Sequence, residues 1–346
     1  MSELDLPALQ NWLADKWPDG RDLETQRISG GQSNPTWFVT WGTHRLVLRK
    51  KPEGPTLPGA HAIEREYRIQ RALAETDVAV PRMLHFEDDA SILGTPFYVM
   101  ERLEGRVFAD STLPDMTGHE RREIYLDMAR TLARLHAVRP DQVGLGDYGK
   151  SGNYFARQIA RWSRQYTDST GPRVADLDWL MDWLPASMPP EGDALSIAHG
   201  DFRLGNLMYH PTEPRVIAVL DWELSTLGHP LADLGYCVMP WNSAPEEYGG
   251  ILGTDWHAAG IPTQAEFVAE YHAHALPTPP PLPFHIAFAM FRFAVIFVGI
   301  ADRARAGSAA SSEAADLGAL APRFAARARQ IIATASSSIG NNAGSF

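Results

Sequence analysis

Two short segments, residues 199–206 and 219–223, carry the side chains best suited to chemistry in this sequence. The first places Asp201 and Asn206 five positions apart, and the second has Asp221 at the end of an apolar run. One carboxylate can take the proton of an attacking hydroxyl, while an amide and a second carboxylate can hold metal ions. Transfer of a phosphoryl group requires these groups, because its negative charge must be neutralised before a nucleophile can approach. Singly, each residue is also typical of a turn or a strand end, so the interpretation depends on the whole set.

The spacing matches the protein kinase motifs H-R-D-L-x-x-x-N and D-F-G. It predicts Asp201 as the catalytic base, and Asn206 and Asp221 as ligands of Mg²⁺. Only eleven residues separate Asp221 from Asp233, which is too few for a long activation loop, so regulation by loop phosphorylation is not expected. Glu223 stands where D-F-G has Gly, and this further carboxylate either faces the acceptor or lies at the surface at the end of a strand.

A glycine-containing loop precedes the first predicted strand. Within residues 28–35, Gly30, Gly31, Ser33 and Asn34 could direct backbone N–H groups and a hydroxyl toward the phosphate oxygens of a nucleotide. The alternative is an ordinary tight turn, because the sequence contains neither a P-loop nor the full G-x-G-x-x-G loop.

A strand cation and a helix glutamate should steady the nucleotide phosphates. Strand alternation favours Arg49 as the cation, with Lys50 and Lys51 expected to be exposed at the strand end. In the following helix Glu64 and Glu66 lie two positions apart and cannot share a face, so only one of them can be the partner. Ordinary solvated charges are the alternative to such a pair.

The strand predicted over residues 96–100 runs into the polar segment 101–105, which is a candidate hinge between two domains. Backbone groups of Met100, Glu101 and Leu103 could form hydrogen bonds with an adenine base, with the Met100 side chain beside it. The alternative is a plain linker.

Hydrophobic periodicity predicts the elements that must position these residues. Alternation and β-branched or aromatic residues predict strands over 37–41, 46–49, 96–100, 207–209 and 216–220. The first two flank the short polar link 42–44 and should pair as an antiparallel hairpin. Helical spacing predicts a first helix that ends before Pro18, a stripe from Ile124 to Leu135, and helices over 62–74, 154–166, 175–184, 264–272 and 284–304. The expected fold class is α+β, with a strand-rich domain over 1–103, a larger helical domain over 104–335, and an irregular tail over 336–346.

The composition excludes several classes of protein. The chain has 346 residues, 45% of them hydrophobic and 21% charged, with a formal net charge of −11. Such a chain can bury a sizeable core, so general disorder is excluded, and the acidic balance argues against nucleic-acid and anionic-membrane partners. A single cysteine, Cys237, and an N-terminus without a signal-peptide pattern indicate a cytoplasmic protein. The apolar segment 284–300 is interrupted by His285 and Arg292, and we expect a buried helix rather than a membrane span.

Together these motifs resemble the aminoglycoside phosphotransferase and choline kinase-like family, and within it the kinase-like domains related to those fused to acyl-CoA dehydrogenases. The likeness covers about residues 25–305, including segments 29–34, 46–52, 64–67, 100–105, 199–206 and 220–234. It implies a bilobal protein kinase-like fold with a small N-lobe and a larger helical C-lobe, and ATP and Mg²⁺ as cofactors. It also implies that Glu66 partners the strand cation and that Asp233 braces the catalytic loop. Arg49 departs from the Lys of many members, and the two side chains are not interchangeable.

The resulting expectation is an ATP-dependent kinase that phosphorylates a hydroxyl group of a small molecule. The rival is a catalytically weak scaffold that binds a nucleotide or acyl-CoA, but degenerate kinase folds commonly lose a base or a metal ligand, and here all three are present. The resemblance suggests a hydroxyacyl-CoA or another anionic metabolite as the acceptor, with an aminoglycoside, choline or an amino alcohol as alternatives.

Arg292 lies in an otherwise apolar helical run, where a guanidinium is costly to bury without a partner. Two kinds of partner are open. One is a helix carboxylate near Asp233 or Glu270, and the other is an anionic group of the acceptor.

Overall fold

The computed structural model describes residues 4–28, 34–54, 62–192, 194–306 and 317–342. The chain divides into two compact units. The first comprises residues 1–106, 208–213 and 217–224, and the second comprises residues 107–207, 214–216 and 225–346. The break after Arg106 lies close to the boundary predicted at 103. No sequence signal marks the two short returns of the chain to the first unit.

A five-stranded antiparallel sheet forms the base of the first unit. Its strands are β1 (Leu23–Arg27), β2 (Thr36–Trp41), β3 (His44–Lys50), β4 (Met83–Glu87) and β5 (Phe97–Glu101), in the order β1-β2-β3-β5-β4. β2 and β3 form the predicted hairpin, in which Phe38 lies opposite Val47 and Gly42 in the turn has a φ of +61°. The sequence pattern does not predict β1 or β4, because neither strand has a buried face that would give apolar alternation.

Three helices belong to the same unit: α1 (Leu6–Lys16), α2 (Ile63–Leu73) and α3 (Ala90–Leu93). α1 begins after Asp5, whose carboxylate accepts a backbone N–H of the first turn. Its Leu9, Trp12 and Leu13 are buried in one apolar cluster with side chains of the sheet. α1 and α2 match the predicted helices. In both helices, apolar residues at the predicted helical spacing are buried.

Five further strands are short. β6 (Arg106–Val107), β8 (Leu207–Tyr209) and β9 (Val216–Val219) form one sheet in the order β6-β8-β9, and β7 (Ser196–Ala198) pairs with β10 (Thr226–Gly228). β8 and β9 match the strands predicted over 207–209 and 216–220. The segments that carry Asp201 and Asp221 begin directly after β7 and β9, so each carboxylate is positioned by a strand end.

The second unit is mainly helical. Its helices are α4 (Gly118–Ala137), α5 (Tyr154–Thr167), α6 (Ala175–Ala186), α7 (Pro230–Cys237), α8 (Gln264–His274), α9 (Pro283–Arg305) and α10 (Ala321–Asn342). α7 is buried at every position, so it has no amphipathic stripe to predict it. α10 reaches Asn342 and replaces the irregular chain predicted from 336. Its Phe324, Ala328 and Ile332 are buried in the apolar cluster that also contains α9.

By length and composition α9 could cross a membrane. In this structure 72% of its most apolar window is buried within the protein. The helix packs against α5, α6, α7 and α10, and its side chains contribute to one large apolar cluster. The structure therefore shows the buried helix that we expected from the interrupting polar residues.

Candidate active site

Arg49 of β3 and Glu66 of α2 form a buried ion pair in the first unit. The guanidinium Nε lies 2.8 Å from Oε2 of Glu66, whose side chain is 2% exposed. Burial raises the pKa of the Glu66 carboxyl, and the charge of Arg49 acts in the opposite direction. The alternative partner, Glu64, is exposed. The structure therefore contains the pair of strand cation and helix glutamate that the sequence predicts.

Two further donors hold the Glu66 carboxylate. The Asn34 side-chain amide donates to Oε1 at 2.6 Å, and the Tyr98 hydroxyl donates to Oε2 at 3.1 Å. Both side chains are buried, and a buried carboxylate is stable only with such partners. Tyr98 was not predicted, but it lies opposite Arg49 in the pairing of β3 with β5. The Glu66 carboxylate is thus held from two strands, β3 and β5, and from the loop that carries Asn34.

Asn34 is the one predicted phosphate-loop residue that the structure describes. Gly30, Gly31 and Ser33 lie outside the described residues. The side-chain amide of Asn34 donates to Glu66, so Asn34 helps to hold the buried ion pair of Arg49 and Glu66.

Lys50 differs from its prediction. It is 1% exposed, and its Nζ lies 2.7 Å from the Glu53 carboxylate. The expectation of an exposed lysine is wrong because three successive residues of β3 before Arg49 are buried, so the strand is covered on both faces. Glu53 holds this lysine, and Arg49 is the cation at Glu66.

Asp221 completes the charged cluster of the first unit. Its Oδ1 accepts a hydrogen bond of 3.3 Å from Nη2 of Arg49, and its side chain is 39% exposed. Its φ of +61° lies in the left-handed region, which is uncommon for residues other than Gly, Asn and Asp. Glu223 follows in a single 3-10 turn and is exposed. Arg49 therefore joins a buried carboxylate to an accessible one.

The predicted hinge begins where β5 ends, at Glu101. The N–H groups of Glu101 and Arg102 donate to the carbonyls of Arg82 and Arg45, so both are used by the sheet. The N–H of Leu103 makes no hydrogen bond within the described part of the chain. Met100 pairs with Val47 in the sheet and is partly exposed. Leu103 is therefore the backbone donor that a base could use here.

In the second unit, Asp233 of α7 holds the backbone of the loop that follows β7. Its carboxylate accepts the N–H of His199 at 2.6 Å and that of Gly200 at 2.9 Å, and lies 3.4 Å from Nε2 of His136. Burial by itself raises the pKa of Asp233, but the hydrogen bond and charge of His136 and the loop donors outweigh it, so the pKa lies below its usual value. The bracing role implied by the resemblance is confirmed. His199 and His136 are both buried, which indicates packed rather than catalytic histidines.

Asp201 and Asn206 lie together in that loop. The Asn206 amide nitrogen donates to Oδ2 of Asp201 at 2.7 Å and to the Asp201 carbonyl at 2.8 Å. Because both bonds use the nitrogen, the amide oxygen of Asn206 is left for another partner. The spacing of five residues thus brings the Asp201 carboxylate and the Asn206 amide together in one short loop.

Two contacts of Asp201 were not predicted from the sequence. The Arg203 Nε lies 3.5 Å from Oδ2, and the Tyr236 hydroxyl donates to Oδ1. Arg203 lies inside the 199–206 motif, so its place in the sequence could have indicated a contact with Asp201. Tyr236 lies three residues after Asp233, and that spacing on a helix places both on one side of α7.

Arg292 does not form a salt bridge with a helix carboxylate, which was one of the two kinds of partner that the sequence left open. Its Nη2 donates to the Gly200 carbonyl at 2.5 Å, and its guanidinium lies over the Trp162 ring at 5.6 Å. Within the described residues it has no carboxylate partner. The expected partners are occupied, since Asp233 holds the loop and Glu270 pairs with an arginine of α4. Pairing with a carbonyl and an aromatic face replaces the ion pair.

A cavity of about 350 Å³ lies beside this loop, entirely within the second unit. Arg203 contributes a cation to the wall of the cavity. Asp201 lies two positions before Arg203 in the sequence. Such a cavity can hold an apolar chain with a charged group near Arg203. Six aromatic residues line this aromatic cavity: Tyr125, Phe202, Tyr236, Tyr248, Phe293 and Phe324.

No cluster of three or more His, Cys, Asp or Glu side chains that could hold a metal ion occurs among the described residues. Mg²⁺ in phosphoryl transfer commonly uses one or two protein ligands and completes its shell with phosphate oxygens and water. The amide oxygen of Asn206, in the second unit, and the accessible carboxylate of Asp221, in the first unit, are each an oxygen donor of the kind that Mg²⁺ binds.

Several relatives share most of this chain. A mouse protein, acyl-CoA dehydrogenase family member 10, is 40% identical over 307 residues, which are 88% of this chain and 28% of the mouse protein. Chicken acyl-CoA dehydrogenase family member 11 is 40% identical over 296 residues, covering 84% of this chain and 38% of its own length. The chain thus spans about a third of the length of these curated relatives.

Solved structures show the same fold. A protein from Ralstonia eutropha, provisionally assigned as an aminoglycoside phosphotransferase, is 45% identical, with a TM-score of 0.87 over 95% of this chain and 98% of its own. The aminoglycoside phosphotransferase APH(4)-Ia, solved as a mutant with AMP-PNP and hygromycin B, shares the fold at 17% identity and a TM-score of 0.63, over 93% of this chain and 98% of its own.

The match to a family model begins in β1 and ends at the start of α9. The model of the phosphotransferase enzyme family matches residues 24–285, a range that includes Arg49, Glu66, Asp201, Asn206 and Asp221. The chain belongs to the phosphotransferase enzyme family, whose protein kinase-like fold it shares.

Proposed function

We propose that this protein transfers the γ-phosphoryl group of ATP to a hydroxyl group of a small anionic acceptor. The observation that carries the proposal is the arrangement at Asp201, a partly exposed carboxylate held at 2.7 Å by the amide nitrogen of Asn206. This arrangement supports roles for Asp201 as the proton acceptor and for the amide oxygen of Asn206 as a cation ligand. Degenerate members of such families commonly lack one of these groups.

The nucleotide would be held by the first unit. Arg49 is fixed by Glu66 and keeps its guanidinium near the accessible Asp221, where it can contact phosphate oxygens. The free N–H of Leu103 can donate to a ring nitrogen of the base, and Gly30, Gly31 and Ser33 are proposed to face the phosphates. The APH(4)-Ia structure, which holds AMP-PNP, supports a nucleotide on this fold.

Asn206 and Asp221 are the proposed ligands of Mg²⁺. The amide nitrogen of Asn206 is used by Asp201, so its oxygen is the atom that remains for a cation. When bound, Mg²⁺ neutralises phosphate charge and favours departure of ADP. Asp201 would orient the acceptor hydroxyl and take its proton as the new O–P bond forms.

The aromatic cavity favours an acceptor that combines an apolar part with an anionic group near Arg203. A hydroxyacyl-CoA or a related hydroxy acid has both features, and the names of the mouse and chicken relatives connect such proteins with acyl-CoA compounds. A polycationic aminoglycoside would bring like charge to Arg203, so aminoglycosides, choline and amino alcohols are the weaker candidates.

A transfer screen tests this function. Purified protein is incubated with MgATP and, separately, hydroxyacyl-CoAs of four to ten carbons, kanamycin, choline and 1-amino-2-propanol, and ADP release and acceptor phosphate are measured. We expect the hydroxyacyl-CoAs to be phosphorylated. MgATP at about 100 times its Kd should add about 2.7 kcal/mol to the free energy of unfolding. Stabilisation by ATP without Mg²⁺, together with no transfer to any compound, would support a scaffold instead.

A further inference from the structure

Helix α7 contacts four successive residues of the loop that carries Asp201. Asp233 accepts the N–H groups of the two residues before Asp201, and the Cys237 thiol lies 3.1 Å from the carbonyl of Phe202, directly after it. Tyr236 contacts Asp201 itself. Two side chains of one buried helix therefore hold the loop backbone on both sides of Asp201, and a third, from Tyr236, holds the Asp201 carboxylate.

The Tyr236 contact is made by a hydroxyl that stays protonated. The residue is 6% exposed, and its hydroxyl donates to Oδ1 of Asp201. Burial, together with the charge of Asp201, raises the pKa of the phenol well above its usual value. The hydroxyl is therefore a hydrogen-bond donor throughout the pH range in which an enzyme works.

The two oxygens of the Asp201 carboxylate are held from different elements. Oδ2 accepts from Asn206 and Arg203, which belong to the loop itself, whereas Oδ1 accepts from Tyr236 of α7. The terminal torsion of an aspartate is broad, so a carboxylate held at one oxygen can still rotate. A base must be within hydrogen-bond reach of the hydroxyl it deprotonates, and a misplacement of about 1 Å can cost about 100-fold in rate.

We propose that Tyr236 is a positioning residue, whose hydroxyl fixes the rotation of the Asp201 carboxylate so that the carboxylate faces the acceptor. The expected effect on kcat rests on the proposed function, whereas the expected effect on the orientation of the Asp201 carboxylate does not. The proposal concerns the hydroxyl and not the ring. The ring lines the cavity and packs edge-on against Phe293, with centroids 5.8 Å apart, so Tyr236→Phe removes one function and keeps the other.

The first experiment needs no acceptor. Crystal structures of the wild-type protein and Tyr236→Phe are determined without ligands and compared at Asp201. We expect the phenylalanine ring to occupy the tyrosine position, and the Asp201 carboxylate to rotate or take two orientations while Asn206 stays in place. A carboxylate unchanged in orientation and order would overturn the proposal, whatever the enzyme phosphorylates.

The second experiment measures kinetics with the hydroxyacyl-CoA that the screen finds to react fastest. For Tyr236→Phe we expect kcat to fall about 10- to 100-fold, with KM for ATP and for the acceptor within about twofold of wild type. Tyr166→Phe is the matched control, because Tyr166 is also buried and bonded through its hydroxyl, to the backbone of Val174, far along the chain from the loop. It should leave kcat unchanged.

The outcomes separate the two proposals. A raised acceptor KM with unchanged kcat in Tyr236→Phe would mean that the hydroxyl binds the acceptor and does not position the base. Equal losses in Tyr236→Phe and Tyr166→Phe would mean a general effect on stability and would overturn the assignment. Absence of transfer by the wild type would contradict the proposed function, and the crystal comparison would still decide the role of Tyr236.

Discussion

At the scale of single residues, the site depends on side chains that each hold another side chain. Arg49 pairs with Glu66 and also donates to Asp221, so one guanidinium fixes two carboxylates of different exposure. Arginine suits this task because its donors are arranged in a rigid fork, whereas lysine presents a single point charge. Arg49 therefore contacts the two carboxylates through different nitrogens of one guanidinium, Nε and Nη2.

The first prediction concerns this pair. Arg49→Met and Glu66→Gln should each lower kcat/KM for ATP by about 10-fold or more, and the double variant should lose little beyond the worse single variant, since contacting residues are not additive. Steady-state kinetics with varied MgATP measure the three losses. Glu64→Gln is the control, because Glu64 is exposed on the same helix and should have no effect. Simple addition of the two losses would contradict a coupled pair.

At the scale of elements, α7 and α9 lie in close contact. This contact fixes the position of α7, whose side chains hold the loop that carries Asp201. Gly235 lies in α7, and a Cβ added there would meet the His285 carbonyl oxygen of α9 at 2.6 Å. No side chain other than hydrogen fits without a shift of one helix. Gly235 therefore sets the distance between the buried helix α9 and the helix that carries Asp233 and Tyr236.

The second prediction is a loss of stability in Gly235→Ala. Overpacking at this contact should lower the free energy of unfolding by about 1–3 kcal/mol, and it should lower kcat because α7 must move. Urea unfolding followed by tryptophan fluorescence measures the stability. Gly146→Ala is the control, because the nearest atom to an added Cβ there is 3.8 Å away. Equal stability of Gly235→Ala and wild type would contradict the close helix contact.

The third prediction concerns His285, which caps the start of α9. Its Nδ1 accepts the N–H of Leu282 at 2.9 Å, and burial, with the nearby His229, lowers its pKa to about 4. The ordinary pKa of histidine is about 6.5, so between about pH 6.5 and 4 the unfolded chain binds a proton that the folded protein excludes. The free energy of unfolding should therefore fall by about 3 kcal/mol from this group as the pH falls through that window.

Unfolding measured in urea at pH 7, 6, 5 and 4 checks this dependence. His285→Gln should be less stable at pH 7 and should lose part of the slope below pH 6.5. His119→Gln serves as the control, since His119 is exposed near the start of α4 and should keep the full slope. An identical pH dependence in His285→Gln and wild type would show that His285 is not the responsible group.

At the scale of the whole molecule, the features set by local sequence pattern were predictable, and those set by distant contacts were not. The hairpin of β2 and β3 and helix α9 were predicted from alternation and apolar periodicity, whereas the pairing of Arg49 with Glu66 was implied by the family resemblance. The environment of Lys50 was not, because it depends on the residues that cover the second face of the sheet. Helix α7 has no polar face to give a period, and the contact of Tyr236 with Asp201 joins positions 35 residues apart.

The proposed activity of the whole molecule, a Mg²⁺-dependent phosphoryl transfer, depends on Asp201 as the base. The variant Asp201→Asn tests this role most directly. The experiment pairs the rate of phosphate transfer from MgATP to the reactive hydroxyacyl-CoA with the affinity for MgATP, in the wild type and in the variant. We expect Asp201→Asn to bind MgATP with nearly unchanged affinity while kcat falls at least about 100-fold. Equal turnover by Asp201→Asn and the wild type would show that Asp201 is not the base.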